Sequence, residues 1–314
     1  MKTILFAYTF TFLLPFSALA QVELEALNQQ LTNEKAEWVA GDTSVSELSV
    51  EEFKARLGGG LEEIPLEYDL ESEPKIQLVP SLDWRQRLGH DWVGGVRDQG
   101  QCGSCVAFAA IATMETQYRI DTGRPGLNIR LSPQHLFSCG GGSCFWGWTG
   151  DGAARFLKNS GVPDEACFPY QSGVTKTTTS CRKTCRDHQR RSVRLITYAK
   201  PTSGRINLNQ IKQALQSGPV VAMMNIYDDF RYYRSGIFKH VRGGYMGGHA
   251  VSIVGYNDHQ RYFVIRNSWG ERWGENGFGR ISYDDTSGLG SSTWSYRPDI
   301  AAALLEMGEL TTPQ

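Results

Sequence analysis

Hydrophobic positions along the chain change rhythm several times, and each change marks an element. An apolar run from Ile4 to Phe16 opens the sequence. Leu24, Leu27 and Leu31 then recur at spacings of three and four, which predicts a helix from 21 to about 56, ended by Gly58-Gly59-Gly60. Between 64 and 79 the pattern dissolves into polar, acidic, extended chain punctuated by Pro65 and Pro74. Helical rhythm returns over 106–120 through Phe108, Ile111, Ala112, Glu115 and Tyr118, with no Gly or Pro inside. Val220, Ala222, Met224 and Ile226 alternate as a strand does. Gly247-Gly248 reads as a turn that opens a second strand over 250–254, and 262–266 reads as a third. Antiparallel pairing of these last two brings Asn267 near His249.

The opening run follows Lys2, is interrupted by Thr9, Thr11 and Pro15, and ends in Ala18-Leu19-Ala20. It is too short for a bilayer span and has the small-x-small cleavage pattern, so residues 1–20 read as a secretory signal peptide. No later stretch is long or apolar enough to span. Export permits disulfides.

A length of 314 residues gives a prior of two domains or lobes, and 40% hydrophobic with 21% charged residues suits a chain that buries a real core. A net charge of −1 argues against a nucleic-acid binder. That average hides an asymmetry. Residues 21–79 hold 14 acids and 4 bases, whereas residues 80–314 hold 19 acids and 27 bases. The acidic stretch reads as a propeptide attracted to a basic mature domain. The run Arg182, Lys183, Arg186, Arg190, Arg191 and Arg194 is either a solvated face or a seat for that leader.

The cysteines are Cys102, Cys105, Cys139, Cys144, Cys167, Cys181 and Cys185. Seven is odd, so at least one thiol stays outside the intrachain pairs, and pattern alone does not choose the partners. Cys102-Gly103-Ser104-Cys105 allows a redox dithiol, a zinc half-site, or a structural Cys102 beside a nucleophilic Cys105. The surroundings lack the βαβ context of the first and the His ligands of the second. The third gains from the helix that follows, because a thiol at a helix N-terminus has its anion stabilised. His249 before a rigid strand is placed as a base would be, and the Asn267 side-chain oxygen can orient its ring.

These blocks resemble the papain-like cysteine proteases. The resemblance rests on Gln99-Gly100-Gln101-Cys102-Gly103-Ser104-Cys105, on Gly248-His249-Ala250, and on Asn267-Ser268-Trp269-Gly270 followed by Trp273-Gly274 and Gly277-Phe278-Gly279. It spans about 82–281. Arg234 to His240, Met246-Gly247-Gly248-His249 and the leader's Glu37-Trp38-Val39-Ala40-Gly41 are similar to the cathepsin B branch. The resemblance implies an α+β fold of two lobes, a helical left lobe (80–195) and a β-barrel-like right lobe (196–314), with the cleft between them. It implies Cys105 as nucleophile, His249 as acid and base, Asn267 as its orienter and Gln99 as oxyanion donor. Gly147, Trp148, Gly248 and Trp269 would contact substrate. It implies the bridges Cys102–Cys144, Cys139–Cys181 and Cys167–Cys185.

Protein or peptide substrates, the leader as intramolecular inhibitor, a monomer, and no metal or cofactor complete the expectation. The destination would be extracellular, lysosome- or vacuole-like, or periplasmic in a bacterium. Three departures stand out. Val106 replaces the usual aromatic after the nucleophile, and the segment after Cys144 is Phe145-Trp146-Gly147-Trp148. Residues 168–180 carry no histidine, unlike the carboxylate-clamping loop of cathepsin B, so endopeptidase action is expected. Two other readings are a non-catalytic papain-fold binding protein and a thiol–disulfide exchanger using Cys102 and Cys105.

Overall fold

The computed structural model describes residues 16–58, 67 and 77–300, with side chains from residue 21. The apolar opening run and most of the 64–79 stretch lie outside the described residues.

The leader folds as helix α1 (Phe16–Glu34), strand β1 (Trp38–Ala40) and helix α2 (Val50–Lys54). The expected continuous helix is therefore broken. Lys35 takes a left-handed conformation (φ 53°), which ends α1, and β1 then pairs antiparallel with a strand of the mature domain. Long-range pairing outweighs the local rhythm because it buries Trp38 against Phe238 and Tyr233 and gives its indole N–H the Lys239 carbonyl at 3.0 Å. A Ser49–Glu52 capping box starts α2.

The mature chain runs β2 (Ser81–Asp83), α3 (Cys105–Thr122), α4 (Pro133–Gly140), α5 (Gly150–Asn159), α6 (Ser172–Thr175) and β3 (Leu195–Ala199). It continues through α7 (Leu208–Leu215), β4 (Val220–Tyr227), β5 (Tyr233–Phe238), β6 (Tyr245–Asn257), β7 (Tyr262–Arg266), β8 (Phe278–Ser282) and β9 (Thr293–Pro298). Pairing follows the order β1-β5-β8-β7-β6-β4-β9-β3, with β2 added to β6. The path does not return on itself, so the right lobe is an open sheet rather than a closed barrel. Because Leu82, Trp84, Trp92 and Val93 sit in the right-lobe core, the chain just after residue 80 belongs to the sheet side before it enters the helices.

Strand β4 shows why two cores form. Val220, Ala222, Met224 and Ile226 enter the right-lobe core, while Val221 and Met223 enter the core around α3. Strict alternation across one strand serves both lobes. Helix α3 is buried on nearly every face, and its small Ala107, Ala109 and Ala110 let it lie close against β6 and α5. The bridges are Cys102–Cys144, Cys139–Cys181 and Cys167–Cys185, and Cys105 is the free cysteine.

Candidate active site

Cys105 is the first residue of α3, so the unpaired N–H groups of the helix start surround it. The N–H groups of Ala250, Gly58, Val106 and Cys105 itself favour the anionic form of its sulfur. Ala250 adjoins His249, which places the thiol beside that stretch of β6. The side chain is fully buried, and this burial outweighs the amide donors and pushes the thiol up to about 11.

His249 lies inside β6 rather than after a turn, since Gly247 and Gly248 pair with Ile226 and Asn225 of β4. The glycines serve close approach: a Cβ at Gly247 would meet the Leu57 side chain, and the Gly248 carbonyl accepts the Gly58 N–H at 3.1 Å. The register of β6 on β7 sets Ser252 opposite Arg266 and brings Asn267 to the imidazole, with Asn267 Oδ1 2.8 Å from His249 Nε2. The Ser268 N–H donates to that same Oδ1 at 2.8 Å, which fixes the atom as oxygen. His249 Nε2 therefore carries hydrogen, and Nδ1, buried and without a hydrogen-bond partner, is the basic nitrogen. The Trp269 ring covers the pair at 4.7 Å. Burial lowers the imidazole to about 4, and the Asn267 bond opposes this only in part.

Gln99 is fully buried and held from every side. Its Oε1 accepts from Ser268 Oγ at 2.6 Å, and its backbone carbonyl accepts from the Tyr170 hydroxyl at 2.8 Å. Its Nε2 donates to Cys102 O at 2.9 Å and to the leader's Arg56 O at 2.7 Å. The leader continues over Gly147, where φ is 72° and a Cβ would come 1.8 Å from the Gly58 oxygen. That oxygen accepts the Trp148 N–H at 3.0 Å. Phe53 packs edge-on to Trp269, whose carbonyl accepts from Ser44 Oγ.

The seven noncysteine residues singled out in the sequence thus line one groove with Cys105, and leader backbone lies in it. The pattern gave no sign of Ser268 and Tyr170 as the braces of Gln99, or of Arg56 as its partner. Ser and Tyr recur too widely to mark a site without coordinates. Cys102 is bonded to Cys144, so the CxxC pair holds no dithiol and the exchange reading falls.

Residues 78–296 match the model of the papain family cysteine proteases. Among similar proteins, cathepsin B-like CP3 and CP2 of Giardia intestinalis are each 36% identical. The first alignment covers 65% of this chain and 69% of the relative, the second 66% and 70%. In fold, procathepsin B S9 of Trypanosoma congolense superposes with a TM-score of 0.72 at 23% identity, covering 89% of this chain and 98% of that one. Digestive procathepsin L 3 of Tenebrio molitor larval midgut gives 0.71 at 26%, covering 90% of each. Both of these structures are of procathepsins, and the chain belongs to the papain family of cysteine proteases, in its cathepsin B-like branch.

Proposed function

We propose that this zymogen cysteine peptidase is an exported endopeptidase that works through a Cys105–His249 pair. With the leader gone, water re-enters the groove and the helix start favours a thiolate beside a protonated His249. Cys105 Sγ attacks the peptide carbonyl carbon, and the C=O electron pair moves to oxygen. Gln99 Nε2–H and the Cys105 N–H receive that oxyanion. Collapse breaks the C–N bond while His249 gives its proton to the leaving amine, leaving a thioester. Water then attacks the thioester, His249 accepts its proton, and the acid departs. Asn267 keeps the imidazole oriented throughout.

The observation that carries this reading is the Arg56 carbonyl on Gln99 Nε2, a peptide oxygen held by the donor assigned to the oxyanion. It also supports a reason why the leader survives. Phe53 lies at Trp269, the leaving-group side, and Gly58 lies at Gly147, the acyl side. A substrate's acyl half precedes its scissile bond, so the leader crosses the groove in the opposite sense. Export is supported by the opening apolar run and by the bridges of an oxidising compartment. The leader, residues 21–79, is taken to end near Val79 to Ser81.

The test is Cys105→Ala, assayed on internally quenched peptides blocked at the C-terminus. Cleavage should fall by roughly six orders of magnitude, and the proform should persist uncut. Retained cleavage would overturn the assignment. Cleavage by the native enzyme restricted to unblocked C-termini would overturn the endopeptidase part alone.

A further inference from the structure

Phe145 and Trp146 lie on the wall of the groove next to the nucleophile. Cys144, just before them, is bonded to Cys102, and its carbonyl accepts the Gly103 N–H at 3.0 Å, two residues from Cys105. Yet the two rings are 78% and 66% exposed, edge to face with centroids 4.6 Å apart. Adjacent large aromatics left in water on a rigid element mark a binding surface.

The element is rigid. Ser143 and Gly147 exchange two backbone hydrogen bonds, Ser143 Oγ accepts the Trp146 N–H at 3.3 Å, and the Cys144 N–H donates to Thr178 Oγ1 at 2.9 Å. Across the groove stand Tyr245 and Met246, on the strand that carries His249 four residues later. With Leu57 these side chains line a hollow of ≈ 610 Å³. Glu51, Lys54, Ala55 and Leu57 of the leader line the same hollow, with the Leu57 side chain turned to Gly247. In the zymogen these leader residues stand beside the rings, which keep most of their surface exposed.

We propose that Phe145 and Trp146 form an aromatic wall that takes a large apolar or aromatic side chain on the substrate residue carrying the scissile carbonyl. This rests on the peptidase reading above and adds the substrate class to it. Pre-positioned rings lose little freedom on contact, and the facing Met246 adapts to the shape that enters.

The experiment compares kcat/KM of the leader-free enzyme on blocked fluorogenic peptides that differ only at that residue. Phe and Leu should exceed Ala and Ser by roughly tenfold or more, the span a hydrophobic pocket gives. In the Phe145→Asn/Trp146→Gly double variant, and more weakly in Phe145→Asn alone, the Phe-to-Ala ratio should fall towards one. A flat ratio in the native enzyme, or one that persists in the variants, would overturn the wall. Cleavage that still depends on Cys105 but shows no such preference sinks this inference only; cleavage that survives Cys105→Ala sinks the peptidase reading beneath it.

Discussion

The leader holds the enzyme in two chemically different ways. Its first part is an anchor of side chains: Leu27, Leu31, Trp38 and Val45 are buried in the right-lobe core, and β1 extends the sheet through β5. Its last part, Phe53 to Gly58, is a plug whose groove contacts are mostly main chain: Arg56 O on Gln99, Gly58 N–H on Gly248 and Gly58 O on Trp148. At Gly58 even a methyl group is excluded, because a Cβ there would lie 2.2 Å from the Gly103 carbonyl. Affinity resides where apolar surface is buried, and inhibition resides where backbone displaces water and substrate from the donors. The two parts should fail separately.

The largest effect should come from the plug. With the groove dry, burial holds the thiol up at about 11 and the imidazole down at about 4, so between those pH values the pair is uncharged. Roughly one Cys105 in ten thousand is then a thiolate at pH 7, against a substantial fraction at an exposed helix start beside an imidazolium. Iodoacetamide should modify the intact proform at least about a thousandfold more slowly than the leader-free enzyme at pH 7. The proform rate should climb only as pH approaches 11. Equal rates in the two forms would mean that the plug does not desolvate the pair. The sign for acid follows from His249. Its pKa lies below the ordinary 6.5 when docked, so His249 binds a proton more readily undocked, and falling pH between 6.5 and about 4 weakens docking to the extent that this uptake exceeds the proton Cys105 gives up on release.

The anchor should give the next largest effect. Trp38→Ala removes a side chain only 3% exposed, packed against Phe238 and hydrogen-bonded to Lys239 O. Such truncations cost about 3–5 kcal/mol. A synthetic leader of residues 21–79 added to mature enzyme should lose roughly a hundredfold or more in inhibition. A change below about threefold would shift the affinity to the plug and erase the distinction.

What the sequence disclosed follows the same division. Cys105, His249 and Asn267 were legible because each sits where local chain geometry makes its chemistry, at a helix start, in a strand and at a strand end, whereas Gln99, in loop chain, was legible only through the family resemblance. The plug showed only as a glycine run, since main-chain contacts leave little mark on residue choice. Strand β1 was hidden for another reason: its partner, β5, lies nearly two hundred residues away, so the helical spacing of Leu24 to Leu31 extrapolated too far. Charge asymmetry gave attraction but not place. The described ion pairs between leader and mature chain are Glu23–Arg231, Glu67–Arg205 and Arg56–Asp98, the last of opposite polarity to the overall balance. None of them involves the basic run from Arg182 to Arg194.

The smallest effect belongs to the joint between anchor and plug. Glu52 accepts the Ser49 N–H at 3.2 Å within the α2 capping box and the Gln101 amide of the mature chain at 3.2 Å. Those two bonds, the first the stronger influence, hold its carboxyl below the ordinary 4.5. Of the two, only the Gln101 bond is made on docking, and through it the docked state prefers the ionised form. Its contribution is present above 4.5 and is lost as pH falls through the lowered value, a more acidic window than that of His249. Glu52→Gln keeps a side chain able to close the capping box while removing the charge. Inhibition at pH 7 should weaken by less than about threefold, as for an exposed polar pair, and the pH dependence of leader release should flatten only at its acid end. If this substitution instead abolished acid release altogether, control would lie in the joint, and the dry groove around Cys105 and His249 would be a consequence of docking without being its switch.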